Sequence, residues 1–140
     1  MRIVIDTSVL VAGLRSRLGA SNKVLELVAL RRCAPLVSTA MFLEYESVLR
    51  RPEQRLVTGM RIADVDGFLA AFASAAEPVE IDFMWRPQLT DPADEMLLEA
   101  AVNGCAEYIV THNVSDFLPA AVSFRMPVVT QGKFISEYHS

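Results

Sequence analysis

The chain is short of cysteine, histidine and long apolar runs, and each shortage removes a class of protein. Only Cys33 and Cys105 occur, far apart and outside any CxxC spacing, so neither a disulfide framework nor a thiolate zinc site is expected. Both read as small buried apolar residues. The two histidines, His112 and His139, are too widely separated for an HExxH site, and GxGxxG, Walker A and GxSxG loops are absent. No stretch approaches the roughly 20 apolar residues of a membrane-spanning helix. The densest, Phe68 to Ala76, is short and alanine-rich. The first residues, Met-Arg-Ile-Val-Ile-Asp, hold no signal-peptide core, so a cytoplasmic protein with no membrane association is expected.

What the chain does contain is apolar bulk and an uneven charge. Hydrophobic residues make up 52% and charged ones 21% of 140 residues, enough to fill a sizeable core in a single domain spanning 1–140. The net charge of −4 argues against a protein that coats nucleic acid by bulk attraction. The two halves differ sharply, however. Residues 1–61 carry ten basic and five acidic side chains, whereas residues 62–140 carry three and twelve. A basic surface and an acidic site can coexist in one fold.

Short apolar runs alternate with helical patterns. Arg2 to Asp6 reads as a buried strand giving way to a loop at Thr7 and Ser8, with Gly13 and Gly19 flanking that loop region. Ser21 or Asn22 then caps a helix bearing Val24, Leu25 and Val28. Ala34 to Val37 forms a second strand, and Ser38 or Thr39 caps a helix that carries Met41, Phe42, Tyr45, Val48 and Leu49 and ends before Pro52. Val65, Phe68, Leu69 and Phe72 make the strongest amphipathic helix. Val79 to Ile81 is a further strand. Asp91-Pro92-Ala93-Asp94 has the form of a helix start, and that helix stops near Gly104. Tyr108 to Thr111 and Pro127 to Thr130 complete the strands. This alternation predicts a parallel sheet covered by helices on both faces.

Open parallel sheets bind ligands beyond the carboxyl ends of their strands, and this chain places carboxylates there. Asp6 directly follows Ile3-Val4-Ile5, where ionisation beside a core is costly without a cation or donors nearby. Glu44 and Glu46 sit two apart on one helix and so point to different faces; Glu44, embedded in Met41-Phe42-Leu43, is the expected inward one. Asp91 is explained as an N-cap. On local grounds Asp94 can merely complement the helix dipole, and Asp116 can be a turn residue with Asn113 left-handed. Taken together the acids suggest a pocket, and clustered carboxylates repel unless a hard cation offsets them. Mg²⁺ or Mn²⁺ is the natural choice, and such ions position a phosphodiester and activate water.

Four segments, Ile3 to Leu10, Leu43 to Pro52, Asp91 to Asp94 and Ile109 to Phe117, resemble in order the four acidic motifs of the PIN-domain family. Within it, the chain is most similar to the toxin components of toxin–antitoxin systems related to VapC. The likeness extends over nearly the whole chain, to Pro127-Val128-Val129-Thr130-Gln131-Gly132-Lys133-Phe134. It implies a three-layer α/β/α sandwich with a central parallel sheet. It also implies that Asp6, Glu44, Asp94 and Asp116 are the catalytic, metal-binding acids, with Ser8, Thr111 and Asn113 as supporting polar groups. RNA cleavage with Mg²⁺ or Mn²⁺, homodimerisation and inhibition by a small antitoxin are implied as well.

The expected function is therefore a metal-dependent endoribonuclease acting on an RNA substrate, the toxin of such a pair. The alternative is a non-catalytic RNA-binding or regulatory PIN module, which would be free to lose the acids. A phosphoacceptor domain of the response-regulator type also places Asp at a strand end, but its acidic pair is missing beside Asp6. RNA needs cations on the flank of an acidic pocket. Arg15 and Arg17 in the loop beyond the first strand, and Arg50, Arg51 and Arg55 at the end of the Glu44 helix, are the candidates.

Overall fold

Ile3, Val4 and Ile5 are β-branched and wholly excluded from solvent, as befits a strand covered on both faces. They belong to β1 (Arg2–Ile5), the middle strand of a five-stranded parallel sheet. The computed structural model describes residues 1–82 and 88–138, so His139 lies outside the described residues. Along the chain follow α1 (Thr7–Arg15), α2 (Ala20–Ala29), β2 (Ala34–Val37), α3 (Thr39–Leu49), α4 (Pro52–Thr58), α5 (Ile62–Ala75) and β3 (Glu77–Pro78). Then come α6 (Pro92–Asn103), β4 (Tyr108–Val110), a 3-10 turn (Val114–Phe117), α7 (Ala120–Ser123), β5 (Val128–Val129) and α8 (Gln131–Glu137). The strand order is β3-β2-β1-β4-β5, with helices over the sheet in the α/β/α arrangement.

The core closes around β1. Its neighbours Leu36, Ile109 and Val110 are buried with it, and α6, which lies on β1, β2 and β4, contributes Leu97, Leu98, Ala100 and Ala101. Tyr45 of α3 meets Phe72 of α5 edge-on, with ring centroids 5.8 Å apart, and Phe68 flanks Phe72 at 5.7 Å. At Gly13, an added Cβ would lie 2.7 Å from a Leu25 methyl and 3.0 Å from the Ser21 carbonyl, so α1 and α2 approach as closely as they do only because position 13 has no side chain.

Several local expectations need correction. Thr7 to Arg15 is a helix rather than a loop: Asp6 serves as its N-cap, with a side-chain oxygen accepting the Ser8 N–H. Arg15 is thus the last residue of α1. Neither Ser21 nor Asn22 caps α2, which starts at Ala20 after Gly19; the Asn22 amide instead donates to the Gly13 carbonyl at 2.9 Å, tying the two helices together. The third strand lies at Glu77–Pro78, ahead of the expected Val79 to Ile81, because it is an edge strand where proline is tolerated, and the Val79 N–H donates to the Val37 carbonyl just beyond it. Tyr108 to Thr111 and Pro127 to Thr130 shorten to β4 and β5. Cys33 is buried as expected, but Cys105 is exposed, in the left-handed turn after α6. Asn113 has φ −114, which is not left-handed.

The Ser38 cap, the end of α3 before Pro52, the α5 pattern and the Asp91-Pro92 start of α6 all stand as read. Phe72 is nearly fully buried between two aromatic rings, so Phe72→Ala should lower unfolding free energy by about 3–5 kcal/mol. Urea denaturation checks this; a loss under about 1 kcal/mol would mean that the α3–α5 contact contributes little.

Candidate active site

From β1 the sheet extends one way to β2 and β3 and the other way to β4 and β5. The gap between the carboxyl ends of β1 and β4 is therefore the switch point, where open parallel sheets bind ligands. Ile5 stands beside Val110, and the Asp6 N–H donates to the Val110 carbonyl at 3.0 Å. Asp6 and Thr111 consequently leave the sheet side by side.

Both oxygens of Asp6 are held. The Thr111 hydroxyl donates to Oδ2 at 2.6 Å and the Ser8 N–H donates to Oδ1 at 3.3 Å. Position at the start of α1 adds the favourable field of the helix N-terminus. Thr111 is wholly buried and its oxygen accepts the Asn113 N–H at 3.1 Å, which fixes the hydroxyl between the strand and the loop. From α3, the buried Tyr45 hydroxyl donates to the Ile5 carbonyl, just ahead of Asp6. Burial, and secondarily the Asp6 charge, push the Tyr45 phenol far above its ordinary value, so it stays a donor.

Glu44, next to Tyr45, lines a crevice of about 10 Å³ together with Asp6, Met96 and Leu97, room for about one water. Glu46 faces elsewhere: it lies 3.9 Å from Arg50, which also holds Asp66 of α5 at 3.2 Å. Asp91 caps α6 by accepting the Ala93 N–H at 2.9 Å, and Asp94 follows in the first turn. Burial first, then the charges of Asp6, Asp91 and Asp116, push the Asp94 carboxyl up to about 6. Asp116 is exposed on the 3-10 turn, which the fully buried Phe117 anchors. Asp6, Glu44 and Asp94 thus gather at one end of the sheet, with Asp116 at the margin.

Of the cations expected to flank the site, Arg15 lines an open groove beside Ser8, and Arg17 lies exposed in the turn after α1. Arg50 is engaged by Glu46 and Asp66, and Arg51 stands exposed at the N-cap of α4. Arg55 donates from Nε to the Arg50 carbonyl at 3.3 Å.

Two features escaped sequence reasoning. Glu95, only 4% exposed, accepts the N–H groups of Gln88 and Leu89 at 2.6 and 2.7 Å, which ties the segment entering α6 to that helix. A glutamate amid Met96, Leu97 and Leu98 was the available signal. The second is His112, whose Nδ1 sits 2.6 Å from Nε2 of Gln131 at the start of α8; nothing local in the sequence links them.

The donor set is entirely hard oxygen, the chemistry of Mg²⁺ and Mn²⁺ sites. Two observations fit a cation here: among the described residues the Ser8 hydroxyl is buried beside Asp6 with no hydrogen-bond partner, and Asp94 is pushed up by burial and three neighbouring acids. Among the described residues no three His, Cys, Asp or Glu side chains are close enough to enclose an ion. Binding through one or two carboxylates with retained waters, the habit of Mg²⁺, suits that spacing.

A doubly wound parallel sheet that brings carboxylates to its switch point is an α/β fold with an acidic site at the carboxyl end of its strands. The chain belongs to the PIN-domain family: the family model described as a PIN domain matches residues 2–115. That family consists generally of nucleases that use divalent metal. No curated protein and no solved structure matched the chain. Among the described residues no helix is long and apolar enough to cross a membrane.

The raised Asp94 value has a consequence for stability. The folded state binds more protons than the unfolded state between about pH 4 and pH 6, so stability falls as pH rises through that window. Asp94→Asn removes the penalty. Thermal melts in EDTA should show the variant melting above the parent at pH 8 and losing that advantage below pH 4. A variant that melts lower at every pH would make Asp94 a structural residue.

Proposed function

We propose that residues 1–140 act as one domain, a divalent-metal-dependent endoribonuclease that hydrolyses RNA phosphodiester bonds. The observation that carries this reading is the Asp6 carboxylate, gripped by the Thr111 hydroxyl and the Ser8 amide at the switch point, with Glu44 and a strained Asp94 beside it. Of Asp6, Glu44, Asp94 and Asp116, one or two would hold Mg²⁺ or Mn²⁺ directly and the others would reach it through its retained waters. When bound, the ion would offset the phosphate charge and make a water more acidic.

The chain's own groups do the rest. Thr111 orients Asp6 and Tyr45 supports the end of the strand that carries it. Ser8 brings its unpartnered hydroxyl to the same place, and Asn113 is held against Thr111 by its N–H. Asp94 must give up a proton held at its carboxyl to accept a cation, so metal binding weakens as pH falls below about 6. Arg15 and Arg17, beyond the end of the acidic crevice, meet the phosphate backbone of the strand. Arg51 joins them. Arg50 does so only by leaving its carboxylate partners.

In the same reading the protein is a cytoplasmic, homodimeric toxin held in check by a small antitoxin. Exposed Leu43 on α3 and Leu56 and Val57 on α4 supply apolar surface for a protein partner. A stage of control suits an enzyme whose sole requirements are an abundant ion and RNA.

Titration calorimetry with Mn²⁺, paired with cleavage of a single-stranded RNA reporter, tests the reading. Asp6→Asn should abolish detectable Mn²⁺ binding and cut cleavage roughly hundredfold or more. Thr111→Val keeps the side-chain shape but removes the donor to Asp6 Oδ2, so it should free that carboxylate to turn and lower metal affinity or activity by about ten- to hundredfold. Native-like binding and cleavage in a folded Asp6→Asn variant would refute the assignment.

A further inference from the structure

Beside the acidic crevice lies a second, wider space of about 390 Å³, bounded by α1, α3, α4 and the loop after β4. We propose that this groove seats one nucleoside of the RNA strand and sets base preference, with Arg15 on the adjoining phosphate and Gln54 and His112 on the base edge. The inference rests on the nuclease reading and deepens it by assigning a specificity site.

Position comes first. Ser8, whose N–H holds Asp6, and His112, which follows Thr111, both line the groove, so any strand laid across Asp6 is one step from it. Chemistry comes second. Val11 and Val48 offer an apolar surface for a base face, while Gln54 and His112 offer polar atoms for its edge, the pairing by which unstacked bases are read. The Gln131 contact occupies Nδ1 of His112 and leaves Nε2 as the ring nitrogen available to a ligand. The volume falls within the roughly 300–1,000 Å³ of small-ligand sites.

Charge comes third. Among the described residues no carboxylate lines the groove, and Arg15 is the one lining arginine or lysine. Among the described residues Arg15 makes no ion pair, whereas Arg2, Arg50, Arg61 and Lys133 each have an acidic partner. An anionic strand repelled by Asp6 and Glu44 therefore finds, next to them, a surface with a cation at its rim and no acid. Arg15 acts on the backbone and so carries no base information, whereas Gln54 and His112 do.

The test uses four fluorescent single-stranded oligonucleotides, oligo-A, oligo-C, oligo-G and oligo-U. Their binding is followed by anisotropy in EDTA and their cleavage is followed with Mn²⁺. Arg15→Ala should weaken all four alike, and a Gln54→Ala/His112→Ala double variant should change their rank order. Val48→Phe, which fills the groove, should weaken binding roughly tenfold, the size of one lost base contact, while Mn²⁺ affinity by calorimetry and the melting temperature stay native. If the native chain cleaves RNA but the double variant keeps the native rank order and Val48→Phe binds normally, the groove assignment falls and the nuclease reading stands. If the native chain neither binds nor cleaves any of the four, both fall.

Discussion

Everything at this site depends on one carboxylate held at the fork of a parallel sheet. Asp6 takes a hydrogen bond on each oxygen, from a side chain on β4's trailing residue and from the backbone of α1. These three positions lie far apart in the chain for Thr111 and next door for Ser8, so strand register and helix start must both be correct before the group is aimed. The parallel pairing of Val4 with Ile109 and of Ile5 with Val110 supplies the first condition. The cap of α1 supplies the second. A shift of one residue in either would turn Asp6 toward the core, where a charge is costly.

The donors that grip Asp6 are not shared with its neighbour. Hydrogen-bond donors and a helix N-terminus face Asp6, whereas half-buried Asp94 has no such donors among the described residues, and burial followed by the neighbouring acids pushes its carboxyl up to about 6. The two acids differ in environment, not in kind. One is gripped by donors, the other faces mainly acids. Among the described residues no arginine pairs with either: Arg50 is engaged by carboxylates of α3 and α5, and Arg15 lies along a groove whose described lining holds no acid. Had an arginine folded into the crevice, it would have neutralised Asp94 and displaced any metal.

Much of this was legible in the residues, and the failures have identifiable causes. The buried run Ile3-Val4-Ile5 and the Asp91-Pro92 cap are strong local signals, and both gave the right element. Glu44 and Glu46 separate as their helical spacing requires. The stretch after Asp6 misled because Val9, Val11 and Gly13 are weak helix formers, and what makes it helical is tertiary: buried Val9 and Leu10, and a close approach to α2 that only glycine permits. Pro78 argued for a break before a strand, but an edge strand accepts it. The groove was invisible because it joins Ser8, Val48, Gln54 and His112, four positions that no period or motif connects. Local chemistry marks where an acid must sit; only the topology shows what sits beside it.

Glu95 shows how the same segment serves structure and site together. Its buried carboxylate accepts two backbone N–H groups from the chain that enters α6, and so secures the start of the helix that presents Asp94 one residue earlier. Adjacent helix positions point about 100° apart, so the two acids face different surroundings, one the incoming backbone and the other the crevice. A carboxylate that accepts two amide N–H groups is held by them, whereas one facing other carboxylates meets their repulsion. The first turn of α6 therefore spends one acid on fixing itself in place and leaves the other unsatisfied. An unsatisfied acid that is rigidly placed is what a site needs if a cation, rather than the protein, is to complete it.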